Sequence, residues 1–306
     1  MSGQPGEPQP AGEAQPYGEV FERGYRHYEG RREGRERAVN ALAIYSVKRG
    51  LGIKKGWTSK IAPFGLYALA FVPVIVFVGV RGLLGPLADQ INFTYFDLFQ
   101  SISMILLLFA AAVAPEMLCD DRREHVLQLY FSRAITRGDY LLAKVGALGF
   151  MVGSIAFLPA LLLFLGNTFQ APSPGEYLAA HAADIGRIVG AGGLNSVYYT
   201  AIALAVAAFV DRKGIASASI VGGMLVISGI GAALFEAISA DWHRYIVLII
   251  PVQVTEGINR SIFDVPATGN MTAAQANLSG GWYLASILVV TAMCGVVMYR
   301  RYLMED

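Results

Sequence analysis

Apolar residues in this chain come in long unbroken blocks, with neither the two-residue alternation of a half-buried strand nor the one-sided stripe of a soluble helix. Six blocks fall within the roughly 17–25 residues needed to cross a bilayer about 30 Å thick. They are residues 61–80, 98–114, 142–165, 188–210, 215–234 and 282–299. The pattern predicts an all-α integral membrane fold of six transmembrane helices. Residues 1–22, rich in Pro, Gly, Glu and Gln, predict a disordered tail. Residues 23–58 predict a basic segment with an amphipathic helix, and 59–306 the six-span domain.

Two stretches outside the spans alternate in a helical period. In residues 38–57, Val39, Leu42, Ile44, Val47 and Leu51 oppose Arg37, Lys48, Arg49 and Lys54. This predicts a helix lying in the membrane interface, bent at Gly50 and Gly52, with Trp57 at headgroup level. Between spans two and three, Pro115 predicts a break at the end of span two. Asp120 or Asp121 then caps a new helix. Val126, Leu129 and Phe131 alternate there with Arg122, Arg123, Glu124 and Gln128, as in a short surface helix. Arg133 and Arg137 form a cationic exit, and Arg137-Gly138-Asp139-Tyr140 reads as a turn into span three. Residues 245–254, with Pro251 inside, are too short to span and predict a re-entrant or interfacial piece, or else a loop folded on itself.

Composition agrees with the pattern. Of 306 residues, 55% are hydrophobic and 15% charged, against about 25% charge in an average soluble domain. Two cysteines exclude a disulfide framework. The net charge of +1 hides an asymmetry, because 20 of the 24 Lys and Arg fall on one side of a six-span topology. Only Arg81, Arg187, Arg244 and Arg260 fall on the other. The positive-inside rule then puts both termini in the cytoplasm, in a plasma-membrane protein.

Candidate chemistry is sparse. The span centres carry no ionisable residue; Lys144 lies near the inner end of span three, and all four histidines fall outside the spans. Ion-driven transporters usually keep such a group at membrane depth, so the pattern argues against a proton or sodium relay. No Ser–His–Asp set, zinc spacing or GxxxxGK[ST] loop is present, so the chain reads as no enzyme, with no metal or cofactor of its own. Gly190, Gly192, Gly193, Gly222, Gly223, Gly229 and Gly231 predict close helix packing in lipid, and Gly186-xxx-Gly190 a weak dimer face. Leu129-Tyr130-Phe131 beside Ser132-Arg133 is an aromatic patch rimmed by arginine, the composition of a docking surface.

Taken together, the segment resembles the coupling region of ABC-2 type permeases. The matching residues are Leu129-Tyr130-Phe131-Ser132-Arg133, then Arg137-Gly138-Asp139-Tyr140 and Lys144. The family commonly has Pro where Ala134 stands here. Upstream, Gly24-Tyr25-Arg26-His27-Tyr28-Glu29-Gly30 and Arg32-Glu33-Gly34-Arg35 are similar to a Tyr-Arg-x-Tyr-x-Gly-x-Arg-x-Gly-Arg stretch of actinobacterial-like members. Beside a membrane span, these arginines point to lipid phosphates and not to nucleic acid.

The resemblance implies a type V exporter-like fold, with an N-terminal elbow helix at residues 38–57 and a cytoplasmic coupling helix. It implies a separate ABC ATPase subunit carrying ATP and Mg, a second permease copy or a paralogue across the pathway, and export. The uncharged pathway points to a lipophilic or drug-like cargo. Glu116, Asp121, Arg122, Leu129, Tyr130, Arg133 and Arg137 are the docking and coupling candidates, with Arg212 and Lys213 as a second contact. The alternative is an ATP-independent channel or scaffold.

Overall fold

The computed structural model describes residues 34–53, 56–84, 93–123, 135–238, 240–266 and 272–304. Six of its helices are long and apolar enough to cross a bilayer, and no strand occurs among the described residues. The chain is a multi-pass membrane protein.

In chain order, α1 is Arg35–Gly50, α2 Thr58–Leu84, α3 Tyr95–Arg123, α4 Arg137–Gln170, α5 Pro174–Ala180 and α6 Ala182–Ala207. Next come α7 Lys213–Ala237, a 3₁₀ helix Asp241–Ile249, α8 Pro251–Ile262, α9 Thr272–Ala276 and α10 Gly280–Tyr299. A π turn, Arg300–Met304, continues α10. The spans are α2, α3, α4, α6, α7 and α10.

Burial sorts the spans into two groups. Helix α3 is the most enclosed, and α4 and α6 pack against it and against each other. Helices α2, α7 and α10 bury less than a quarter of their most apolar stretch and turn the rest outward. Val72, Ile75, Leu225, Ile230, Leu288 and Met293 are exposed on those faces. Apolar side chains facing outward are what a lipid solvent dictates.

Helix α4 has 34 residues, about 50 Å at 1.5 Å per residue. It is longer than the hydrocarbon is thick, so part of it stands clear of the bilayer or tilts. Both ends exceed the predicted 142–165, because its first turn is polar. Arg137-Gly138-Asp139-Tyr140 is therefore not a turn into the span but the start of the helix itself. Thr136 caps it, accepting from the Asp139 N–H while the Asp139 carboxylate accepts from the Thr136 N–H, a reciprocal capping box.

A second correction concerns Pro115. Helix α3 does not break there but runs on to Arg123. A mid-helix proline costs about 3 kcal/mol. Here the following turns are held by tertiary contacts: Met117 and Leu118 are fully buried, and Asp120, Asp121 and Arg122 are all ion-paired. Asp120 and Asp121 sit in the last turn of α3 and cap no new helix.

The amphipathic stretch forms α1, shorter than the predicted 38–57. Leu42 is buried and Val39, Val47 and Leu51 pack beside it, whereas Ile44 and Tyr45 face outward. The helix ends at Gly50. Gly52 adopts φ +68° in the turn that follows, a conformation that glycine alone takes at no steric cost. Trp57 is 80% exposed at the start of α2.

Residues 245–254 divide between the 3₁₀ helix and α8, with Pro251 opening α8 at the one position where its missing N–H costs nothing. Both pieces fold back onto the spans; α8 packs on α3, α6 and α10.

The glycines split. A Cβ at Gly192 would press into the Phe157 ring, and one at Gly231 into Ile250. Gly186, Gly190, Gly193, Gly222, Gly223 and Gly229 meet no neighbour. Within the subunit, then, most of the predicted packing glycines pack nothing.

Candidate functional site: a charge lattice at the basic end

At the end of the bundle that carries α1, the α6–α7 turn and the end of α10, three carboxylates of α3 meet three cations from three other elements. Asp121 is the centre, and its side chain is fully buried. Its Oδ2 lies 2.7 Å from Lys144 Nζ of α4, and its Oδ1 lies 2.5 Å from Arg49 Nη1 of α1. The Tyr140 hydroxyl donates to Asp121 Oδ2 at 3.0 Å. Lys144 is 1% exposed and also donates to the Met117 carbonyl at 2.9 Å.

One residue earlier, Asp120 Oδ2 lies 2.8 Å from Arg49 Nη2 and 2.6 Å from Lys213 Nζ. Lys213 reaches Glu116 Oε2 as well, at 2.9 Å. Arg49 thus bridges both aspartates, and Lys213 bridges Glu116 and Asp120, one turn apart on α3. A carboxylate at a helix C-terminus opposes the helix dipole. These do not stand alone, because each faces a cation at contact distance.

Around this centre, Arg122 Nη2 pairs with Asp211 at 3.0 Å, and its Nη1 donates to the Ala208 carbonyl. Both partners belong to the α6–α7 turn. Cys119 Sγ lies 3.0 Å from the Val210 carbonyl in the same turn. The ring of Tyr302, in the π turn, lies 6.0 Å from that of Tyr140.

Helix α1 is fastened at both ends. Arg35 makes a two-pronged bond to Asp139, 2.8 Å from Nε and 2.8 Å from Nη2. At the other end, Gly50 lies so close to α3 and α4 that a Cβ would sit 2.7 Å from Val113 Cγ1 and 3.0 Å from Met151 Cε. The Asp139 hydrogen bond and charge raise the Arg35 pKa. Burial disfavours the Arg49 cation, but the hydrogen bond to Asp120 and the charges of Asp121 and Asp120 outweigh it and raise its pKa. Both guanidiniums stay charged at every pH the protein meets.

The predicted residues therefore divide. Glu116, Asp121, Arg122 and Lys213 come together in the lattice, and Arg35 joins its edge. Arg137 stands in the first turn of α4, and Arg212, at the start of α7, is exposed. Leu129, Tyr130 and Arg133, and Tyr25, Arg26, Tyr28, Gly30 and Arg32, lie outside the described residues. Asp121 is enclosed and offers a partner no surface, so its part is to hold α1, α3 and α4 together. Sequence reading named Arg49, Asp120, Asp139 and Tyr140 but did not place them among the docking and coupling residues. The available signal was Lys144, since an ammonium at the end of a span demands a carboxylate.

At the far end, α8 brings a second polar group into the bundle. Glu256, fully buried, pairs with Arg260 at 3.0 Å. Ser103, Tyr199 and Thr255 join hydroxyls at 2.8–3.3 Å. Asn195 Nδ2 donates to Asn259 Oδ1 at 2.8 Å. These groups fix α8 against α3 and α6. The lattice itself has no nucleophile–base pair, and among the described residues no group of three or more His, Cys, Asp or Glu is placed to hold a metal. What it does chemically is join four elements into one block.

Among curated proteins, none is similar enough in sequence to be matched to this chain. The family model described as "ABC-2 family transporter protein" matches residues 86–299, which cover five of the six spans and the α3, α4 and α7 members of the lattice, but not Arg35 and Arg49 of α1. The chain belongs to the ABC-2 family of transporter proteins.

Proposed function

We propose that this chain is the permease subunit of an ATP-driven exporter, seated in the plasma membrane with both termini in the cytoplasm. It works with a separate ATPase subunit that binds ATP and Mg, and with a second permease copy or a paralogue across the pathway. The cargo is lipophilic or drug-like.

The observation that carries this reading is the position of the lattice. Residues 124–136, which hold the coupling candidates Leu129, Tyr130 and Arg133, join α3 to α4. The end of α3 is tied through Asp120, Asp121 and Arg122 to α1, α4 and the α6–α7 turn. The start of α4 is tied through Asp139 to α1. A displacement applied between these two helix ends moves α1, α3, α4 and α7 together, because buried charges do not part cheaply.

The test is purification in mild detergent from the native host, followed by identification of what accompanies the protein. A stoichiometric partner carrying Gly-xxxx-Gly-Lys-Ser/Thr is expected. A clean oligomer without one would move the reading to the channel or scaffold.

A further inference from the structure

The end of the bundle away from the lattice holds a cavity of about 270 Å³, between the end of α8 and the turn from α9 into α10. Arg260, Ser261, Asp264, Asn277 and Ser279 line it, and most of its wall is polar. The last four of these are exposed, so their side chains are open to a molecule from outside.

Three features set these residues apart from an ordinary wetted turn. Ser279 is the N-cap of α10, where a serine hydroxyl ordinarily accepts from the first turn of the helix, yet it makes no capping bond and lines the cavity instead. Asp264 and Asn277 have φ of 54° and 46°, and among the described residues no other non-glycine residue has a positive φ. Such conformations persist where the surroundings impose them, and they cluster at ligand sites. The side chains of Ser261, Asn277 and Ser279 make no hydrogen bond to any described residue. Arg260 keeps capacity too: its Nη1 donates to the Pro266 carbonyl and its Nη2 to Glu256, which leaves each a second N–H.

Charge balance narrows the ligand. The Arg260 cation is matched by Glu256 at 3.0 Å, and the Asp264 carboxylate by Arg187 at 2.7 Å. The lining therefore carries no net charge, and an ion of either sign would meet a like charge there. The unused groups are two hydroxyls and a carboxamide, each both donor and acceptor, set between a carboxylate and a guanidinium. Neighbouring hydroxyls on one small ring match that set. The volume is below the roughly 300 Å³ at which drug-sized pockets begin, so it suits one such ring and no acyl chain.

We propose that this cavity is a binding site for a neutral polyhydroxylated ring, a sugar unit or a cyclitol. Its hydroxyls replace water on Ser261, Asn277 and Ser279, donate to Asp264 and accept from Arg260. Binding involves this chain alone, so the proposal stands apart from the ATPase reading, and either can fail without the other.

The experiment uses the full chain in phosphatidylcholine nanodiscs and saturation-transfer NMR. The probes are the methyl glycosides of glucose, galactose and mannose, and myo-inositol, with empty discs as the blank. At least one is expected to give a saturable signal that the blank lacks. Asn277→Gly with Ser279→Ala should weaken that binding about tenfold, through the loss of two neutral hydrogen bonds. Glycine takes the φ of Asn277 at no steric cost and Ser279 caps nothing, so thermal unfolding of the double variant should match wild type and mark the loss as one of contact. Discs doped with monoglucosyl diacylglycerol separate two sources: displacement of the free ring assigns a lipid headgroup, and undiminished signal a soluble molecule. No saturable signal from any of the four probes would overturn the proposal, as would equal binding by wild type and the double variant. Saturable binding of inorganic phosphate in place of the rings would make the cavity an anion site and overturn it as well.

Discussion

Lys144 and Asp121 face each other at 2.7 Å with both side chains shut away from water, on the two helices that flank residues 124–134. A buried pair of this kind contributes little net stability against an apolar isostere but is costly to break from one side. Asp121→Asn is expected to cost about 3–5 kcal/mol, because Lys144 is then stranded and Arg49 loses one of its two carboxylates. Thermal unfolding in detergent measures the loss. Adding Lys144→Met should recover part of it, giving a coupling of roughly 0.5–3 kcal/mol in the double-mutant cycle; strict additivity would contradict the pairing.

Arg35 is exposed, and its bond to Asp139 holds one end of an otherwise surface helix. Arg35→Gln should leave global stability almost unchanged. Its effect is expected in hydrogen exchange, as lost protection in the first turns of α1 only. A loss spread through the spans would assign the arginine a different role.

Gly50 tests how closely α1 lies on the spans. Gly50→Ala places a methyl group 2.7 Å from Val113, and overpacking of this kind costs about 1–3 kcal/mol. Val113→Ala should relieve it in the double variant. Unfolding of the single and double variants against wild type checks this.

At the far end, Glu256→Ala leaves the Arg260 side chain, 11% exposed, without its carboxylate. A loss of about 3–5 kcal/mol is expected, with protease sensitivity appearing in residues 241–266 before the spans give way. Wild-type resistance there would mean that α8 is held by its apolar face alone.

On the proposed function, Tyr130→Ala with Arg133→Ala is expected to uncouple ATP hydrolysis by the proposed ATPase subunit from transport while the permease stays folded. Normal coupled transport by that pair would remove residues 124–134 from the mechanism.

The spans were legible in the sequence because their signal is local: a block of apolar residues is complete without knowledge of its neighbours. Their ends were less so. The 142–165 block becomes Arg137–Gln170 because a polar first turn, capped by Thr136, is helical without being apolar. Pro115 misled for the opposite reason, since a local breaking signal was overruled by contacts from α1, α4 and the α6–α7 turn. The lattice was half visible. Glu116, Asp121, Arg122 and Lys213 stood out as charges beside spans, but the link from Arg49 to Asp121 crosses 72 positions, and no spacing rule connects them. Glu256 was hidden in the long stretch between the fifth and sixth spans until the fold returned that stretch to the bundle.

The most direct test of the account is hydrogen exchange on the protein purified together with the ATPase subunit proposed above, with and without ATP and vanadate. If the lattice moves as one block, nucleotide should change protection at the end of α3, the start of α4 and in α1 together. A change confined to residues 124–134, with α1 and the end of α3 unaltered, would contradict it.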